Sequence, residues 1–201
     1  MTYRAFFSEV VPTLALGNLG RRCEEPIVLG FILHGADEPV WTISFDSDGG
    51  HAVPGTTADN PLMTVVTEAR DWPITQPRLV AWADRLAEQA GSDHVLRPED
   101  LARVARVGGT VRLIATDYVD PDGTTRDLVS ELWVGRYDAG DASTREFTVT
   151  VTAEDYAGLL DGSVRPAAAF AEGRIQIGGN VGHAMKFGMA AMRLRPKKGS
   201  R

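Results

Sequence analysis

Cysteine is nearly absent: Cys23 is the single one in 201 residues. A lone cysteine closes no internal disulfide, so packing alone must hold the fold, and a reducing, cytoplasmic setting is the expectation. Long apolar runs are missing too, and no stretch nears the roughly 18 residues of a membrane-spanning helix. Positive charge is in deficit, with 21 Lys and Arg against 27 Asp and Glu and a formal net charge of −6. Nucleic-acid binding needs a basic face, so nucleic acid is not an expected partner. Metal-ligand spacing is lacking as well. His34, His51, His94 and His183 form no H-x-H or H-x-x-x-H pair, so neither a metal nor another cofactor is expected. No G-x-S-x-G turn marks a hydrolase nucleophile.

What is there is a chain with 43% apolar and 24% charged residues, the composition of a folded domain with a substantial core. The opening "MTYRAFFSEVVPTLAL" has an acid inside its apolar stretch and no small-residue cleavage site. It is expected to be an amphipathic helix over 3–16, not a signal peptide. Strands are expected over 27–34, 40–45 and 62–67, with "DSDGG" as a turn. A helix over 77–90 should bury Leu79, Ala83, Leu86 and Ala90, and a second, from Pro98 to Gly108, should bury Leu101, Val104 and Ala105. The second half predicts strands over 110–118, 128–134 and 146–152, with "DPDG" as turn chemistry between the first two. Thr152 fits a helix cap, and Asp155 a first-turn acid facing the positive helix end. A helical turn after Pro166, a strand over 174–178 and a last helix capped by Asn180 complete the pattern.

Two features stand out. "LMTVVTEARDW" (62–72) aligns without gaps on "EFTVTVTAEDY" (146–156), which sets Thr64 over Thr148, Ala69 over Ala153, Asp71 over Asp155 and Trp72 over Tyr156. Each stretch follows a hairpin-like pair of strands holding a tryptophan, Trp41 or Trp133. An internal duplication is one reading of this; chance similarity of short strand-to-helix segments is the other. The last helix, from Val181, carries Met185, Met189 and Met192 in one stripe, with Gly182 and Gly188 as poor helix formers. Methionine adapts to irregular apolar partners. Such a helix is either a core element or the wall of a cavity.

"VTAEDYAGLLDGSVRPAAAFAEGRIQIGGNVGHAMKF" resembles the C-terminal half of the sterol carrier protein-2 family. The resemblance is carried by the strand leading into "EDY", then Leu160 and Gly162, then Pro166, Ala169 and Phe170. It continues through Gly173, Arg174, Ile175, Ile177, Gly179 and Asn180 to "AMK" at Ala184–Lys186. It is clearest over 146–192 and looser back to Pro98. It implies an α+β fold: a mixed, mainly antiparallel sheet covered on one face by helices, with an apolar tunnel for acyl lipids or sterols and no catalytic machinery. The implied organisation is a degenerate extra half over 1–92 packed on the second, a lipid-binding domain over 93–195, and a basic tail over 196–201. The implied wall residues are Trp133, Tyr156, Leu160, Phe170, Ile175, Met185, Met189 and Met192. The implied partner is a hydrophobic small molecule or lipid. Contact of the basic tail with an anionic membrane, and a homodimer, are further expectations. The peroxisomal tripeptide of some members has no counterpart here.

Rival readings keep a place. "GGNVGH" sits between a strand and a helix like a dinucleotide loop, but Gly178, Gly179 and Gly182 do not make G-x-G-x-x-G. His183, in the first turn of the last helix, is expected at the surface or the cavity rim; an enzyme that recruited the cavity predicts instead a buried polar group in it, with His183 the first to inspect for proton transfer. An interaction module predicts a cavity filled by the chain's own side chains.

Overall fold

The computed structural model describes residues 1–13, 26–46, 48–56, 59, 61–77, 80, 98–135, 145–161 and 163–193. The chain opens on α1 (Tyr3–Ala5), which continues as a π turn (Phe6–Val10) and a 3-10 turn (Val11–Thr13). Thr2 caps it through Oγ1. The sequence predicts one regular helix here. The π turn differs from it by carrying neighbours Phe6 and Phe7 inward together, both buried. The remainder of that predicted helix, 14–16, lies outside the described residues, as does most of the one predicted over 77–90.

Strands β1 (Ile27–His34), β2 (Val40–Asp46), β3 (Gly49–Pro54) and β4 (Met63–Glu68) form the first half of the sheet. The second half holds α2 (Pro98–Val107), β5 (Gly109–Val119), β6 (Thr125–Val134) and β7 (Glu146–Thr152). It continues with α3 (Ala153–Asp161), α4 (Pro166–Ala171), β8 (Gln176–Gly179) and α5 (Val181–Arg193). All eight strands among the described residues join one sheet, ordered β3-β2-β1-β4-β6-β5-β7-β8. Only β1·β4 and β5·β7 are parallel; the other pairs are antiparallel, the mixed and mainly antiparallel sheet that the sequence predicts.

The two halves use the same strand arrangement. In each, the first strand lies between an antiparallel second strand and a parallel later one. The gapless sequence match falls on equivalent ground. β4 and β7 end one residue before Ala69 and Ala153, where a helical turn begins in both. The halves meet along β4·β6, with Thr64 opposite Trp133 and Val66 opposite Glu131.

Alternation then decides what faces what. Leu29, Phe31, Leu33, Trp41, Ile43 and Phe45 join Phe6, Phe7, Val11 and Trp72 in a core of ten buried residues. Phe7 stacks on Trp41 with centroids 4.7 Å apart. In the second half Val111, Leu132, Val134 and Phe147 point to the same side of the sheet, where α2 and α5 lie over them. The helices therefore cover one face, as a sheet with one apolar side requires.

Candidate functional site

The region under α5 is built from its N-terminus. Gly179 ends β8 at φ +74, and a Cβ there would meet the Glu146 carbonyl oxygen at 3.0 Å. Asn180 then caps α5: its Oδ1 accepts from the His183 N–H at 2.9 Å, and its carbonyl from Ala184 N–H at 3.0 Å. The glycine-rich "GGNVGH" thus works as a strand end and a helix cap.

His183 is buried, and its Nε2 lies 2.8 Å from the Gly108 carbonyl oxygen. The nitrogen facing a carbonyl donates, so the imidazole ties the start of α5 to the end of α2. Gly109, at φ +106, makes room for the ring: a Cβ there would lie 2.7 Å from Nε2 and 2.3 Å from the Arg145 carbonyl oxygen. The residue singled out for proton transfer is thus engaged in holding two helices together.

Beyond His183 the helix presents Ala184, Phe187 and Ala190 to the sheet. Ala184 packs with Val111 and Phe147, and Ala190 with Val104 and Val134. The Phe147 and Phe187 rings lie 5.7 Å apart. A third cluster, Ala115, Leu128 and Val151, lies further along the sheet with Tyr156, Leu159 and Ile175 against it. Among the described residues each of these clusters has three buried members, where the first half gathers ten in one. Half-buried Leu132, Val149 and Phe187 bridge them.

The sequence-predicted wall residues divide accordingly. Tyr156 and Ile175 lie on the helix-covered face. Leu160 is in α3 and Met192 in α5; their side chains lie outside the described residues. Phe170, Met185 and Met189 face outward, more than half exposed. Strand alternation turns Trp133 to the opposite face of the sheet, since its neighbours Leu132 and Val134 meet the helices. Its Nε1 donates to Glu131 Oε2 at 3.1 Å.

That opposite face holds a cleft of about 320 Å³ lined by His34, Glu68, Arg70, Arg112, Asp127 and Glu131 among others. Its lining carries both signs of charge and suits no hydrocarbon.

Two buried carboxylates escaped sequence reasoning in their main role. Thr152 caps α3 through the Asp155 N–H at 3.1 Å, as predicted. Asp155 itself accepts from Arg174 Nη1 at 2.6 Å, which ties α3 to the segment entering β8. Its sequence equivalent Asp71 meets Arg126 Nη2 at 2.6 Å. Arg126 also donates to Asp120, and these two carboxylates, Asp120 foremost, hold its guanidinium pKa above the ordinary arginine value. Among the described residues, no three His, Cys, Asp or Glu side chains gather as a metal site, and no helix is long and apolar enough to cross a membrane.

A mixed, mainly antiparallel sheet with helices over one apolar face defines an α+β fold. The chain belongs to the SCP-2 sterol transfer family, whose match spans residues 91–192. That membership supports binding or transfer of lipids or sterols as the general class of function. Similar solved structures include the sterol carrier protein domain 2 of Helicoverpa armigera, determined in solution. It is 24% identical, with 49% of this chain and 78% of that one covered, at a TM-score of 0.33. Sterol carrier protein 2 from Yarrowia lipolytica, in its apo form, is 13% identical, with 50% and 82% covered, at a TM-score of 0.28. No curated protein matches the chain.

Proposed function

We propose that the protein binds a single hydrophobic ligand, an acyl lipid or sterol-like molecule, between the sheet and helices α3 and α5, without catalysing a reaction. The observation that carries this reading is the divided core of the second half. Among the described residues, three small buried clusters stand there, bridged by half-buried side chains, inside the segment that matches the family. A protein interior normally packs to crystal-like density in one contiguous core. A hydrocarbon chain lying along the half-buried side chains that link the clusters would join them into one core. Leu132, Val149, Tyr156, Ile175, Ile177 and Phe187 are the proposed lining; Leu160 and Met192 belong to it on sequence grounds.

Burying ten to fourteen methylenes at about 0.8 kcal/mol each gives roughly 8–11 kcal/mol gross. Association and chain ordering reduce this to about micromolar affinity. Such affinity suits a carrier that must release its cargo. Native mass spectrometry of the purified protein, followed by solvent extraction, tests the reading. A co-purifying lipid, or saturable uptake of a fluorescent fatty acid, is expected. A protein that takes up neither fatty acid nor sterol at tens of micromolar has a filled interior, and the reading fails.

A further inference from the structure

The charged cleft on the face of the sheet opposite the helices has no part in the lipid reading. His34 ends β1, Glu68 ends β4, Asp127 and Glu131 lie on β6, Arg112 lies on β5, and Arg70 sits in the turn after β4. In the sheet these strands are neighbours in the order β1, β4, β6, β5. Acids thus occupy the two middle strands, with His34 on one flank and Arg112 on the other. The cleft straddles the seam between the halves. The segment that matches the family, 91–192, makes only one side of it.

Opposite charges that line one cleft of about 320 Å³ ordinarily pair with each other. Arg112 and Glu131 even stand directly opposite in the β5·β6 ladder, the arrangement that favours a cross-strand ion pair. Glu131 instead accepts from Trp133 Nε1 on its own strand, at 3.1 Å. Among the described residues, no hydrogen bond or ion pair engages the side chains of His34, Glu68, Arg70, Arg112 or Asp127. Asp71, also in the lining, is neutralised by Arg126 at 2.6 Å. What remains is two guanidinium groups, Arg70 and Arg112, and three carboxylates, Glu68, Asp127 and Glu131, around buried Val66 and half-buried Val129. A guanidinium presents paired N–H donors that match a carboxylate, and the carboxylates accept from ammonium groups. The one negative charge in excess favours a ligand with a net positive one. The volume lies at the lower end of small-molecule sites.

We propose that this cleft binds a free basic amino acid, with its carboxylate on Arg112 and its two amino groups against Glu68, Asp127 and Glu131. The site lies across the sheet from the lipid reading, so the two can fail separately. The test is titration of the full chain with L-lysine, followed by calorimetry and by amide chemical shifts. One saturable site of about millimolar affinity or tighter is expected. The shift changes should be confined to residues 66–71, 112 and 127–131. 1,5-Diaminopentane lacks the carboxylate and norleucine lacks the second amine, so each should bind at least roughly tenfold more weakly. Arg112→Gln should weaken lysine by about the same factor and leave diaminopentane unchanged, because Arg112 meets only the carboxylate. The double variant E68Q/D127N should weaken both. All three side chains are exposed, so circular dichroism should match the parent. Three results overturn the proposal: no saturation with lysine, lysine bound no better than diaminopentane, or Arg112→Gln binding lysine as the parent does. Shift changes centred on other strands overturn it as well.

Discussion

His183 and Gly109 show how little space separates α5 from the α2–β5 turn. A Cβ at Gly109 would press on the Arg145 carbonyl oxygen at 2.3 Å, in a backbone conformation at φ +106 that L side chains avoid. Gly109→Ala is therefore expected to destabilise the protein by about 2 kcal/mol or more in urea unfolding. Removing the ring has a milder cost. His183→Ala deletes the hydrogen bond to the Gly108 carbonyl and opens a void beside Phe147, an expected loss of about 2 kcal/mol by the same measurement. Ligand uptake by the surviving folded fraction should persist, since the imidazole serves as a tie. The sequence places His183 in the first turn of a helix; its partner 75 residues away is set by tertiary contact.

At the scale of elements, α5 is a helix with two apolar faces of different meaning. Phe147 is buried beneath it and touches Phe187. Phe147→Ala is expected to lower stability by about 3 kcal/mol. Met185→Ser is expected to change it by less than about 0.5 kcal/mol, because the side chain is already in solvent. Thermal or urea denaturation of the two variants side by side checks the assignment. The methionine spacing is legible in the sequence as a stripe. Which neighbour that stripe faces is not, since periodicity fixes angles about the helix axis and leaves the helix's own rotation to packing. The same limit applies to Trp133: its strand is readable, but the side of the sheet it takes depends on register. β3 escaped reading for another reason. "GGHAVP" is poor in branched residues, and its pairing with β2 follows from the turn, with Phe45 opposite Gly50 and Ser44 opposite His51.

Across the whole molecule, the two halves share one sheet, and the seam is held by more than the β4·β6 ladder. The Gly135 N–H donates to the Leu62 carbonyl at 2.9 Å, and Arg126 reaches from β6 to Asp71 behind β4. The protein is expected to unfold in one cooperative transition. Tryptophan fluorescence, whose four reporters include buried Trp41 and Trp72 in the first half and Trp133 in the second, should coincide with far-ultraviolet circular dichroism of the whole chain. Arg126→Ala strands the buried Asp71 carboxylate without its cation, at an expected cost of roughly 3 kcal/mol. The double variant D71N/R126L should recover part of it. A merely surface ion pair would show neither effect.

By itself the sequence determined the elements that rest on local chemistry. β1 and β4, the caps at Thr152 and Asn180, and the glycine-ended α2 follow from branched runs, side-chain oxygens near helix starts and residues free to take positive φ. It also fixed the family, through motifs spread over the second half. Only the tertiary structure decided that both halves complete a single eight-stranded sheet, that Asp71 and Asp155 each hold an arginine, and that the methionines of α5 look outward. Those facts depend on register, on helix rotation and on pairs distant along the chain, and no local pattern carries that information.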